Sequence, residues 1–139
     1  MIDIRSGSAD DSAYMKALDG LVPGRARSRD WYDVAVRSGD VLVATLDGKF
    51  AGFAIHHRHF FERDFLSLLV VEPMCRRRGV ASSLLAAVER RCDARELFTS
   101  TNRSNAVMLS ALTRWGFVPS GRIDNIDPGD PELVFLKRF

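Results

Sequence analysis

The sequence predicts an α/β protein: one mixed sheet of about seven strands with about four helices. Three observations carry that expectation. Phe65 to Val71 is a nearly continuous apolar run stopped by Pro73, the pattern of a strand buried on both faces. From Gly79 the period changes, and Val80, Leu84, Val88 and Cys92 recur every fourth residue with Ala81 and Leu85 beside them. Residues 95–101 then return to strand, so strand 65–71, helix 79–92 and strand 95–101 form one right-handed parallel crossover.

The other elements follow in chain order. Residues 2–5 read as a short strand. Ser8 or Asp10 caps a helix running to about Asp19, with Ala13, Met15 and Leu18 turned inward. Leu21 to Arg29 holds Pro23, Gly24 and three arginines, Arg25, Arg27 and Arg29, and reads as a connection. A second short helix starts near Ser28 or Asp30 and ends at Ser38-Gly39. Val41 to Leu46 is β-branched and closes on Asp47-Gly48, a type I′ hairpin signal, and Lys49 to about Phe60 returns. Glu62-Arg63-Asp64 makes the next turn. Glu89, Arg90 and Arg91 mark the solvent face of helix 79–92. A later helix covers about 104–115, with Met108, Ala111, Leu112 and Trp115 on one face and Gly116 as its stop. Phe117 to Ile123 and Leu133 to Lys137 are strands on either side of a turn at 127–131, and both are available to pair across a homodimer.

With 139 residues and 15.5 kDa, the chain is expected to be a single domain, 1–139, with one core. Apolar residues at 46% and charged residues at 27% exclude disorder, collagen, a coiled coil and a disulfide scaffold. The basic side is 17 Arg and 3 Lys, yet the net charge is only +2, which argues against nucleic acid as the main partner. The start Met-Ile-Asp-Ile-Arg lacks a signal peptide's basic and apolar regions, and no apolar run is long enough to span a membrane. A cytoplasmic protein with Cys75 and Cys92 reduced is expected, and the thiols are assigned to packing.

The chemistry concentrates at Val71-Glu-Pro-Met-Cys-Arg76-Arg77-Arg78-Gly79-Val80-Ala81-Ser82. A strand stops at proline, a basic turn follows, and a helix opens on small residues. The first N–H groups of a helix lack intrahelical partners and its dipole favours anions there. Gly79 and Ala81 let a phosphate approach the backbone, and the arginines attract it. A phosphate seat at 77–82 is one reading. A solvated arginine turn whose glycine serves its backbone angles is the other, and the residues alone weigh the two equally. No P-loop Gly-Lys-Ser/Thr and no dinucleotide Gly-x-Gly-x-x-Gly is present.

The run Leu68-Leu69-Val70-Val71-Glu72-Pro73-x-x-Arg76-Arg77-x-Gly79-Val80-Ala81-x-x-Leu84-Leu85 resembles the acyl-CoA-binding motif of the GCN5-related N-acetyltransferase (GNAT) family. Arg76, Gly79 and Ala81 meet its core, Gln/Arg-x-x-Gly-x-Gly/Ala. Asn105, an amphipathic helix and Gly116-Phe117 match a second family element, and the order of elements fits from end to end. The resemblance implies that strands 65–71 and 95–101 splay apart to hold acetyl-CoA as co-substrate. Its pantetheine would pair with backbone at Leu69, Val70 and Val71. Its pyrophosphate would sit on amides from Arg77, Arg78, Gly79, Val80, Ala81 and Ser82, with Asn105 lining the cleft. The implied activity is transfer of an acetyl group to a primary amine by direct attack in a ternary complex.

That chemistry asks for a polarised carbonyl, a base and an acid for the departing thiolate. The family's polarising N–H falls around Val70 or Val71. Its tyrosine acid falls at Leu112, which donates no proton, so water protonates the thiolate or no acid is needed. The family's base positions fall at Phe65 and Ser67, neither a base. His57 and Glu62 are the candidates for a water-relayed base, the alternative being polar residues at the open end of a hairpin. On a strand His57 and His59 share a face and His56 points the other way. The histidines lack the paired ligand spacing of a metal site. Trp31, Tyr32 and the arginines at 25–29 fall where the family gates its substrate, and the arginines hint at an acidic acceptor. A non-catalytic acyl-CoA-binding module and a nucleic-acid contact at Arg76–Arg78 are the competing functions.

Overall fold

A computed structural model describes residues 1–21 and 30–139. Its strands are β1 (Ile2–Ser6), β2 (Val41–Leu46), β3 (Lys49–Phe60), β4 (Arg63–Val71), β5 (Glu96–Asn102), β6 (Val118–Ile123) and β7 (Glu132–Arg138). Its α-helices are α1 (Ser12–Asp19), α2 (Trp31–Arg37), α3 (Val80–Arg91) and α4 (Ala106–Arg114). The strands form a seven-stranded mixed sheet in the order β1-β2-β3-β4-β5-β7-β6. β4 and β5 run parallel, as the crossover pattern required. The turn at Asp47-Gly48 has φ of 52° and 82°, the two left-handed residues of a type I′ hairpin. Arg25, Arg27, Arg29 and the Pro23-Gly24 turn lie outside the described residues.

The chain divides into two compact units. The first comprises Met1–His56 and Leu68–Arg91. In it, Met15 and Leu18 of α1 and Tyr32 and Ala35 of α2 pack on Val41, Val43, Phe53, Ile55, Leu68 and Val70. Ala13, expected inward, is exposed. Two residues before Met15, it stands about 200° away around the helix, on the opposite face. Tyr32 is buried and its hydroxyl donates to Asp19 at 2.5 Å, so one bond pins α2 to α1. Val80, Leu84, Leu85 and Val88 are the buried stripe of α3, which packs against β1 and β2. Cys92 and Glu89, expected inward and outward, are both half-buried, and Cys92 lies beyond the helix end. Ahead of α1, Arg5 grips the buried Asp11 with two bonds of 2.7 and 2.9 Å, and Ser8 N–H adds a third at 2.7 Å. The Arg5 guanidinium and the Ser8 amide hold the Asp11 carboxyl below its ordinary range against the opposing effect of burial.

The second unit comprises His57–Ser67 and Cys92–Phe139. β5 pairs with β7 over its whole length, from Glu96↔Arg138 to Asn102↔Glu132. Leu97, Thr99 and Thr101 alternate as its buried face, and Ala111, Leu112, Phe117 and Val134–Leu136 are buried with them. Both edges of β7 are taken, by β5 and β6, so of the two strands expected to be available to a dimer only β6 lies at a sheet edge. Pro119 and the register shift between Pro119 and Gly121 blunt that edge.

One expectation about β4 is corrected. It runs two residues earlier than expected and alternates: Asp64, Leu66, Leu68 and Val70 are buried, while Phe65, Ser67 and Leu69 are half-buried. Successive side chains of a strand point to opposite faces, and here only one face is fully closed over. An apolar run does not distinguish that case from double burial.

Candidate functional site

At its far end β4 is held hard against β3. Glu72 N–H donates to Ala51 O at 2.8 Å, one residue past the strand. Gly52 makes the approach possible: a Cβ there would lie 2.6 Å from Val70 O and 3.1 Å from Val71 Cα. Any side chain would push the strands apart. Leu69 is half-buried, and Val70 and Val71 are buried.

Beyond Val71 a single turn, Pro73–Cys75, closes with Cys75 N–H on Glu72 O at 2.8 Å. Arg76 is extended, and Arg77 (φ 63°) and Gly79 (φ 85°) are both left-handed. Left-handed residues in such a turn gather successive N–H groups into a concavity that suits an anion. For Gly79 that angle costs nothing, whereas a residue with a Cβ is strained. Arg76, Arg77, Arg78 and Gly79 are exposed, and the next residue, Val80, is 1% exposed. The buried stripe of α3 thus fixes the helix, while in its first turn Ala81 and Ser83 are half-buried and Ser82 is exposed. Ser83 N–H bonds to Gly79 O at 3.0 Å. The amides of Val80, Ala81 and Ser82 precede it and belong to the helix's unpaired start. The Met1 α-ammonium, through its 2.6 Å hydrogen bond to Asp47 Oδ1 and its charge, holds the Asp47 carboxyl low, with a smaller effect from the Arg78 charge. All of this lies in the first unit.

The remaining sequence-predicted residues lie in the second unit. Asn105 is the N-cap of α4, and its Oδ1 accepts Met108 N–H at 3.2 Å. That assigns its oxygen to the helix start, so the helix expected over about 104–115 begins at Ala106, with Asn105 as its cap. His57 is half-buried; its ring stacks on that of His59 and lies tilted to that of Phe65, each at 5.5 Å. His57 and His59 therefore share a face as expected, and His56 is buried. His57 Nδ1 accepts the backbone N–H of His59 at 3.0 Å, so the neutral ring carries its proton on Nε2. Glu62 sits with Phe61 in the two-residue turn between β3 and β4, exposed and left-handed at φ 62°.

Leu112, at the position where the resemblance puts an acid, is 1% exposed. It is a core residue. Tyr32, placed by sequence in a gating segment, is likewise a core residue, with Trp31 edge-on to its ring at 5.2 Å. Two residues were missed. Gly52 had a legible signal, an isolated glycine inside a strand pattern. Thr99 had none, because only the neighbouring strand gives its hydroxyl a partner.

The acetyltransferase (GNAT) family model matches residues 12–117. A GNAT-family acetyltransferase from Bacillus cereus superposes with a TM-score of 0.88 at 34% identity, over 99% of this chain and 97% of that one. Ard1 from Thermoplasma volcanium gives 0.88 at 17% identity, over 99% and 97%. Naa50 from Arabidopsis thaliana, solved with the bisubstrate analogue CoA-Ac-MVNAL, gives 0.78 at 19% identity over 99% of both chains. The last two likenesses are of fold alone. No curated protein sequence matches the chain.

Proposed function

The chain belongs to the acetyltransferase (GNAT) family, and from that premise we propose that it moves an acetyl group from acetyl-CoA to a primary amine by direct attack in a ternary complex. The observation that carries the proposal is the left-handed Arg77–Gly79 turn that leads into the start of α3 among three exposed arginines. The fit to a pyrophosphate is chemical: unpaired helix amides, a glycine without a Cβ in the way, and guanidinium groups suited to phosphate. Among the described residues, only Ile2 Cδ1, at 3.8 Å, lies within 4 Å of the Cβ that Gly79 lacks.

Acetyl-CoA supplies an activated thioester. The amides of Arg77, Arg78, Gly79, Val80, Ala81 and Ser82 hold its pyrophosphate, and the side chains of Arg76, Arg77 and Arg78 neutralise it. The main chain of Leu69, Val70 and Val71 pairs with the pantetheine arm. An N–H at Val70 or Val71 donates to the thioester oxygen, where negative charge grows as the amine attacks. The proton lost by the amine passes through water to His57 or Glu62, and a proton on His57 Nδ1 displaces the bond from His59 N–H. Leu112 being core, water protonates the thiolate or the thiolate leaves as such.

The reading takes 1–139 as one functional domain in the cytoplasm, with Cys75 and Cys92 as thiols; both are free cysteines and half-buried. No helix among the described residues is long and apolar enough to cross a membrane. Calorimetric titration with acetyl-CoA, CoA and a pantetheine fragment lacking the phosphates tests the proposal. Saturable binding that weakens sharply without the phosphates, followed by CoA release with an amine panel, is the expected result. Absence of binding to all three overturns it, and binding without turnover overturns the catalytic part.

A further inference from the structure

Among the described residues, β4 and β5 pair in parallel at Phe65↔Phe98 and Leu66↔Thr99, and both strands continue past that point. The carbonyl of Leu66 accepts a hydrogen bond from Thr99 Oγ1 at 2.8 Å. Thr99 is 5% exposed and stands on the buried face of β5, two residues from the fully buried Leu97. Valine has the same shape, favours strands and would bury no hydroxyl there. A hydroxyl at that position is retained at a cost unless it is bonded, and its bond goes to the neighbouring strand. One residue further on, Ser100 sends its hydroxyl the other way, to Glu132 Oε2 on β7 at 2.6 Å. β5 is held by β7 along its full length, so it has a support independent of β4.

We propose that Thr99 is a positioning residue that rivets β4 to β5 at the Leu66↔Thr99 pair, and so fixes the β4 backbone, from Ser67 onward, with which a ligand pairs. The proposal rests on the reading above that acetyl-CoA lies along the β4 backbone. Thr99 touches no reacting atom. Its hydroxyl ties Leu66 to β5 at that pair, so the pairing neither frays back toward Phe65 nor slides. An arm that pairs with Leu69–Val71 then meets main chain already in place.

The test is Thr99→Val and Thr99→Ser, with acetyl-CoA binding followed by calorimetry and steady-state kinetics run against both substrates. Loss of one buried hydrogen bond that orders the binding edge is expected to weaken acetyl-CoA binding and raise its KM by about tenfold in Thr99→Val. The acceptor KM is expected to stay within about twofold, because the change acts on one substrate only. Thr99→Ser keeps the hydroxyl and is expected to restore wild-type values. Thr99→Ala replaces Thr99→Val, read the same way, should the valine variant not fold. Unchanged acetyl-CoA affinity in the hydroxyl-free variant, or an equal loss in Thr99→Ser, overturns the proposal. A wild-type chain that does not bind acetyl-CoA overturns instead the function on which the proposal rests.

Discussion

Gly52→Ala tests the close approach of β3 to the backbone of β4. The added Cβ meets Val70 O at 2.6 Å, Val71 Cα at 3.1 Å and Val70 C at 3.5 Å. All three are backbone atoms, so no rotamer change relieves the clash. Ordinary contact begins at 3.4 Å, and β3 and β4 must part by roughly 0.8 Å at this point. The φ of Gly52 is not left-handed, so alanine adds no backbone strain of its own. Overpacking of this kind costs about 1–3 kcal/mol, and alanine's lower freedom in the unfolded chain returns about 0.4–1 kcal/mol. A net loss of about 1–2 kcal/mol lowers the Tm of a 139-residue chain by roughly 3–8 °C. The displaced atoms are the Val70–Val71 main chain, so acetyl-CoA affinity falls as well. Thermal melts followed by circular dichroism, with calorimetry on the folded variant, read both effects. A Tm and an affinity indistinguishable from wild type would falsify the reasoning, since they would mean that the two strands have slack where the structure shows none.

Other outcomes follow from the same coordinates. Gly79→Glu is expected to lose acetyl-CoA binding on the order of 100-fold or more, because a carboxylate occupies the anion seat. Gly79→Ala carries the backbone strain of φ 85° without the charge, and equal loss in both variants would remove the electrostatic account. Leu112→Ala is expected to cost about 2–5 kcal/mol by opening a cavity. Leu112→Tyr overpacks a side chain that is 1% exposed and gains no rate; a faster enzyme would mean the position reaches the substrate after all. In pH–rate profiles, replacing the true proton acceptor, by His57→Gln or Glu62→Gln, is expected to lower kcat/KM by about 10²-fold or more. Wild-type profiles in both variants would send the proton directly to water.

The ion pair of Arg5 with Asp11 sets a pH dependence of stability. The Asp11 carboxyl is held below its unfolded value, chiefly by Arg5. Its contribution is therefore complete above the unfolded value and is lost as pH falls through the lower folded value. The difference in Tm between wild type and Asp11→Asn is expected to shrink as pH falls through and below the ordinary carboxylate range. A difference that holds constant or widens on acidification contradicts this assignment.

Much of the fold was legible because its causes are local. The change from an apolar run to a four-residue period at Gly79 placed β4 and α3, and Asp47-Gly48 placed the β2–β3 hairpin through left-handed angles that those two residues tolerate. The Arg76–Ser82 segment was legible for the same reason: a glycine, small residues and arginines at a helix start have a chemical meaning before any tertiary contact forms. Neighbours decided the rest. Whether a strand is closed over on one face or two depends on what covers it, and β4 turned out to alternate. Leu112 looked like a vacant acid position by spacing, yet packing made it core. His57 acquired its tautomer from the amide of His59 through the local bend of one strand. The tightness at Gly52 and the bond from Thr99 to Leu66 join residues 18 and 33 positions apart in chain distance, from Gly52 to Val70 and from Leu66 to Thr99. Side-chain chemistry and short-range periodicity are properties of the sequence by itself; burial, close approach and the partner of a buried hydroxyl exist only once strands distant in sequence lie side by side.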